Sequence, residues 1–93
     1  MGLAVTVRFP AALKKLTGGR TEDAFDAADL ASLLGAIESR YPGVHARLFE
    51  EDGSLRRNVS ILVNGDNARN LKGMATSLAP GDVVAIVPAI AGG

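Results

Sequence analysis

Asp29-Leu30-Ala31-Ser32-Leu33-Leu34-Gly35-Ala36-Ile37-Glu38-Ser39-Arg40-Tyr41-Pro42-Gly43 is the stretch on which the fold turns. Leu30, Leu33, Leu34, Ile37 and Tyr41 recur at i, i+3, i+4, i+7 and i+11, one continuous apolar stripe along an α-helix. Asp29 stands at the N-cap position, where its carboxylate can accept an orphan N–H of the first turn. Pro42-Gly43 ends the run. Gly35 inside it should cost about 1 kcal/mol relative to alanine, and close packing against a sheet would be a reason to keep it.

On the N-terminal side, Leu3, Val5, Val7 and Phe9 alternate with Ala4, Thr6 and Arg8, which reads as a first strand over Leu3 to Phe9. The same start, Met1-Gly2-Leu3-Ala4-Val5-Thr6, formally fits an N-myristoylation pattern, but the strand accounts for it better. Pro10 closes the strand because it cannot donate to a ladder. Ala11 to Leu16 reads as a turn of helix or a loop, Thr17-Gly18-Gly19 as a turn, and Thr21 to Asp26 as a second strand completing an antiparallel hairpin.

On the C-terminal side, Val44 to Phe49 reads as a short helical turn and Glu50-Glu51-Asp52-Gly53-Ser54 as a solvated loop. Asn58 to Val63 is a strand with Val59, Ile61 and Val63 on one face. Asn64-Gly65 is a turn signal, since both residues tolerate positive φ. A short edge strand is expected through Ala68 to Leu71. Pro80-Gly81-Asp82 then feeds Val83 to Pro88, an almost wholly apolar run of the kind found in central strands. The order is β-β-α-β-(β)-β, one main helix over one mixed sheet. The fold class is α+β, a β-grasp or ubiquitin-like roll, expected as a single domain over residues 1–93 with a tail at 89–93.

Composition narrows the function. In 93 residues, 47% are hydrophobic and 22% charged, which suits a compact core. Ten Lys+Arg balance ten Asp+Glu, so no net field draws nucleic acid or an anionic membrane. Phe9, Phe25, Phe49 and Tyr41 are too few for a base-stacking platform. Without cysteine there is no disulfide, thiolate catalysis or Cys-based metal site. No apolar run approaches the roughly 20 residues of a membrane span and no signal peptide is apparent, so a cytoplasmic protein is expected.

The chain ends in Ala89-Ile90-Ala91-Gly92-Gly93, without a charged side chain. Five extended residues reach at most about 17 Å. A slim neutral thread carrying a carboxylate suits insertion into another protein's active site, where attack on the α-phosphate of ATP gives an acyl-adenylate. Gly92 and Gly93 can take backbone angles closed to other residues there, and their missing Cβ atoms leave the carbonyl open on both faces. Sulfur can then replace the adenylate as a thiocarboxylate, and without cysteine any sulfur so carried sits at Gly93. On its own the dipeptide is equally an ordinary chain end. The neutral tail and the β-grasp order give it meaning.

Phe9-Pro10, Thr17-Gly18-Gly19, Tyr41-Pro42-Gly43, Arg47-Leu48, Leu55-Arg56-Arg57, Val63-Asn64, Pro80-Gly81-Asp82 and Ile86-Val87-Pro88-Ala89-Ile90-Ala91-Gly92-Gly93 together resemble the ThiS/MoaD family of ubiquitin-like sulfur carriers, over essentially the whole chain. The likeness is greatest to the CysO-type branch that serves cysteine biosynthesis. Val63-Asn64-Gly65 marks fold more than chemistry, and Asn58 and Asn70 replace aromatics usual in that branch. The resemblance implies a carrier, not an enzyme. An E1-like adenylating/sulfurtransferase enzyme would activate Gly93 with ATP bound on that partner, so no cofactor is expected on this chain. A sulfur-accepting synthase would receive the sulfur, and in the CysO-type branch a JAMM-type metalloprotease would release the cysteine formed. Ala89, Ile90, Ala91 and Gly92 would be the tail read by partners. In the MoaD-like branch the chain would instead be the small subunit of molybdopterin synthase.

Elsewhere the residues read blandly. His45, the only histidine, is expected at the surface without a metal or catalytic role. Glu50, Glu51 and Asp52 read as a solvated run. Arg56-Arg57 with Arg69 either flank a docking face or are simply solvated. Phe9, Leu13 and Ile86 suit the core better than a partner patch. Thr17-Gly18-Gly19 lacks the lysine and spacing of a phosphate loop.

Overall fold

Alternation along the first strand builds the first layer of the core. In the computed structural model, which describes residues 4–88, β1 spans Ala4–Arg8 with Val5 and Val7 wholly buried and Ala4 and Arg8 exposed. The predicted start at Leu3 lies outside the described residues. Phe9 already leaves the strand pattern, although its N–H still donates to the Thr21 carbonyl at 2.9 Å. A 3-10 turn at Ala11–Leu13 runs into α1, Lys14–Thr17, so the uncertain segment before the glycines is helical. Gly18 closes it at φ 67°, a left-handed position that glycine takes without steric cost. The buried Thr17 hydroxyl donates to the Arg20 carbonyl at 2.9 Å. β2, Glu22–Asp26, returns antiparallel to β1 with Phe25 opposite Val5.

The helix α2 is Leu30–Arg40. As expected, the Asp29 carboxylate accepts the Ser32 N–H at 2.8 Å, and Leu30, Leu33, Leu34 and Ile37 are buried. Tyr41 is half-buried just past its end. A second short helix, α3, covers Val44–Leu48. Glu38 caps it from α2, accepting the N–H groups of Gly43 at 3.0 Å and His45 at 2.7 Å. Close packing does not explain Gly35: it is exposed, and a Cβ there would meet nothing within 4 Å. Gly35→Ala is therefore expected to stabilise the fold by about 0.5–1 kcal/mol, read as a higher midpoint in urea unfolding. A midpoint unchanged or lowered would show that the helix needs glycine there.

β3, Val59–Val63, buries Val59, Ile61 and Val63 and leaves Ser60 and Leu62 half-covered. Asn64 at φ 51° and Gly65 at φ 91° make the turn. The edge strand is not where the sequence suggested. β4 is only Asp66–Asn67, and Ala68–Asn70 is a 3-10 turn. Asn67 starts that turn by accepting the Arg69 N–H through its side chain at 2.9 Å, the local competition with strand pairing that asparagine invites. Ala68, tucked into the core, fixes the turn in place.

β5, Val83–Pro88, is the central strand of a sheet ordered β2-β1-β5-β3-β4. It runs parallel to β1 and antiparallel to β3. Val84 and Ile86 point into the core against α2's apolar stripe, while Val87 on the other face is 41% exposed. This mixed five-stranded sheet with one principal helix is the β-grasp roll.

Candidate functional site

The five residues expected to do the chemistry, Ala89, Ile90, Ala91, Gly92 and Gly93, lie outside the described residues. What the structure does give is their base. Pro88, the last residue of β5, is opposite Val59, the first of β3. The tail therefore departs from the middle strand of the sheet, at the pole where β1 ends and β3 begins. Arg57 and Asn58, both exposed, immediately precede Val59.

The opposite end of β5 is anchored by a clasp that sequence reading took only as two turns. Asn64 and Val83 exchange bonds, Asn64 N–H to the Val83 carbonyl at 2.8 Å and Val83 N–H to Asn64 Oδ1 at 2.9 Å. The Asn64 amide also donates to Asp82 at 3.0 Å, and Asp82 accepts the Ala79 N–H at 2.8 Å. These bonds hold the Asp82 carboxyl below its ordinary range, the Ala79 N–H first and the Asn64 amide second. Asparagine after a strand and aspartate after Pro-Gly were both visible; their meeting across 18 residues was not.

A second polar junction ties β2 to the end of α2. Tyr41 donates its hydroxyl hydrogen to Asp23, and Arg40 Nη1 reaches the same carboxylate at 3.0 Å. The Arg40 guanidinium lies 4.1 Å over the Phe25 ring, and Tyr41 meets Phe9 edge-on with centroids 5.5 Å apart. The Tyr41 hydrogen bond, then the Ala24 N–H and Arg40, pull the Asp23 pKa from 3.8 to about 2 against the opposing effect of burial. The same bond raises the Tyr41 hydroxyl above its usual value. A carboxyl whose folded pKa is depressed stabilises the fold above its unfolded pKa and loses that contribution as pH falls through the folded one. Asp23→Asn is thus expected to cost roughly 1–2 kcal/mol at neutral pH, allowing for solvent screening at this site. Acid titration of unfolding should show the gap between variant and parent closing between about pH 4 and pH 2. A constant gap across that range would contradict the assignment.

Phe9, Leu13 and Ile86 are all buried, as core residues. His45 is exposed and stacks on Phe49 with centroids 4.3 Å apart. Arg56 and Arg69 come together, Arg69 donating to the Arg56 carbonyl at 3.1 Å, while Arg56 pairs with Glu50 at 3.1 Å and donates to the Ala46 carbonyl. Arg56 is therefore tied into the loop, while Arg57 and Arg69 are exposed, Arg57 standing just before the start of β3. The depression lined by His45, Phe49, Glu50, Glu51 and Arg56 is open to solvent and gathers no reactive pair. Among the described residues, no three metal-ligating side chains converge, and no helix is long and apolar enough to cross a membrane.

Known proteins supply the context. The model of a family described as the ThiS family matches residues 7–93. The sulfur carrier protein CysO of Mycobacterium tuberculosis is 38% identical over 91 residues, covering 96% of this chain and 98% of that one. The small archaeal modifier protein 3 of Haloferax volcanii is 41% identical over 68 residues, 73% of each chain. In structure, the chain is similar to one from the Amycolatopsis orientalis BexX/CysO complex, with a TM-score of 0.89, 36% identity, and coverage of 97% of this chain and 100% of that one.

Proposed function

The chain belongs to the ThiS family, and from that membership we propose that it is a ubiquitin-like sulfur carrier whose acyl site is the carboxylate of Gly93. The observation that carries the reading is the likeness to a sulfur carrier protein across nearly the whole of both chains. The fold supports it, because the expected tail follows directly on the last residue of β5, the central strand of the sheet.

The chemistry has two steps. A Gly93 carboxylate oxygen attacks the α-phosphorus of ATP, and pyrophosphate leaves, giving the acyl-adenylate. A sulfur nucleophile then attacks the acyl carbon, the bond to the AMP oxygen breaks, and the thiocarboxylate remains. ATP and the catalytic groups belong to an E1-like partner. This chain contributes the carboxylate and a segment narrow enough to be enclosed. Gly92 and Gly93 allow the enclosure, since a Cβ at either would restrict the angles available and crowd one face of the carbonyl. The sulfur then passes to a synthase. The related CysO chain has been crystallised in complex with BexX, which supports docking of this chain on a protein partner as well. Cysteine biosynthesis, with a JAMM-type metalloprotease releasing the product, is the route favoured by the CysO likeness; a molybdopterin synthase subunit is the alternative.

ATP–pyrophosphate exchange tests the first step. An E1-like enzyme of the same genome should exchange labelled pyrophosphate into ATP only when this chain is added. Exchange that is absent, or independent of the chain, would overturn the reading.

A further inference from the structure

The ladder between β1 and β5 stops at Arg8 and Ala85, although β5 runs on to Pro88 against β3. Backbone shape does not account for the stop, because Pro10 still has extended angles, φ −73° and ψ 161°. The register does. Thr6 donates its N–H to the Asp82 carbonyl at 3.0 Å, and Phe9 donates to Thr21. Even-numbered residues of β1 therefore face β5 and odd-numbered ones face β2. With Thr6 opposite Val83 and Arg8 opposite Ala85, the next two parallel bonds would run from the nitrogen of residue 10 to the Ile86 carbonyl, and from the nitrogen of residue 88 to the carbonyl of residue 10. Both nitrogens belong to prolines, and neither carries a hydrogen.

The other side of β5 is untouched. Asn64 N–H bonds the Val83 carbonyl, so odd-numbered residues of β5 exchange bonds with β3, Val87 with Ser60 among them. Pro88 removes its donor from the β1 side alone. Beyond Ile86, the strand is thus held by β3 only. Ile86 is locked in the core, but Val87 is 41% exposed and Pro88 half-exposed, so little apolar burial retains them.

We propose that Pro10 and Pro88 form a ladder stop that leaves Val87-Pro88 as a detachable base for the tail. When a partner draws the tail in, these two residues peel from β3 and add about 7 Å of reach. The proposal rests on the reading of Gly93 as the acyl site. Both prolines act through the strand and not on the acyl group, as positioning residues.

Hydrogen exchange on the native chain tests the seam without any partner. The Val87 amide should exchange at least tenfold faster than the Ala85 amide of the same β3–β5 ladder, and equal protection would overturn the proposal. In the P10A/P88A double variant both missing donors return. Its Val87 amide should then exchange about tenfold more slowly than in the parent. The KM of the chain for its activating enzyme should rise about tenfold with kcat unchanged, and either single variant should fall between. Protection gained with no change in KM would also overturn the proposal. A native chain with a fast Val87 amide that no E1-like enzyme adenylates would instead overturn the carrier reading, and with it the purpose given to the seam.

Discussion

Deleting Gly92 and Gly93 is expected to abolish sulfur loading entirely while changing the unfolding free energy by less than about 0.5 kcal/mol. The two halves of that expectation come from different parts of the molecule. The described core, from Val5 to Ile86, is assembled mainly from β1, β2, α2, α3, β3 and β5, and neither glycine has a side chain to add to it. The proposed chemistry, by contrast, needs a carbonyl at the end of a Gly-Gly tip. A shortened chain ends at Ala91, whose Cβ limits the backbone and whose carboxylate stops two residues short. Adding one alanine after Gly93 is expected to cause the same loss, since the carboxylate then stands on a residue with a Cβ at the wrong depth. Intact-mass analysis after incubation with the activating enzyme, ATP and a sulfur donor measures loading, and a thermal melt measures the fold. Loading that survives the deletion would identify a binding module that merely uses the β-grasp roll.

The largest expected effect on stability is at Ile61. It lies mid-way along β3 opposite Ile86, wholly buried, where sheet and helix faces meet. Ile61→Ala removes three buried carbons and leaves a cavity that the flanking strands can only partly collapse, for a cost of about 3–5 kcal/mol. Domains of this size are stable by about 5–15 kcal/mol, so a large share would go. Each kcal/mol is worth about 4–8 °C at this length, and the melting temperature should fall by on the order of 15–30 °C. Denaturant unfolding should show a lower midpoint with an unchanged slope. A loss under about 1 kcal/mol would mean that the core is looser there than the burial implies. Below the new melting temperature, sulfur loading should be retained, because Ile61 is wholly buried and presents nothing to a partner.

Much of the architecture was legible because it rests on local periodicity. The Leu30–Tyr41 stripe, the Asp29 cap and the alternation in β1 and β3 each follow from a spacing of a few residues, and the apolar run at Val83–Pro88 marked the central strand. What failed was decided by side chains competing with the backbone or by contacts distant in sequence. Asn67 diverted the chain into a 3-10 turn where a strand was expected. Gly35 had no packing partner to justify it. The Asp23–Tyr41 and Asn64–Asp82 bonds span 18 residues each and leave no local trace. The proposed acyl site is a reading of the sequence alone, since Gly93 lies outside the described residues. Its base, in contrast, needed the register, because only the pairing of β1 with β5 shows that Pro10 and Pro88 remove consecutive bonds of one ladder.

The central claim is that sulfur is carried on the Gly93 acyl carbon. Incubating the native chain with an E1-like partner, ATP and a sulfur donor, then fragmenting it in the mass spectrometer, tests this directly. The account predicts one oxygen exchanged for sulfur, located on the last residue, where an alkylating agent then adds its alkyl group to that sulfur as a thioester. A chain recovered at its original mass under conditions that load a known carrier, or sulfur found at any other residue, would contradict it.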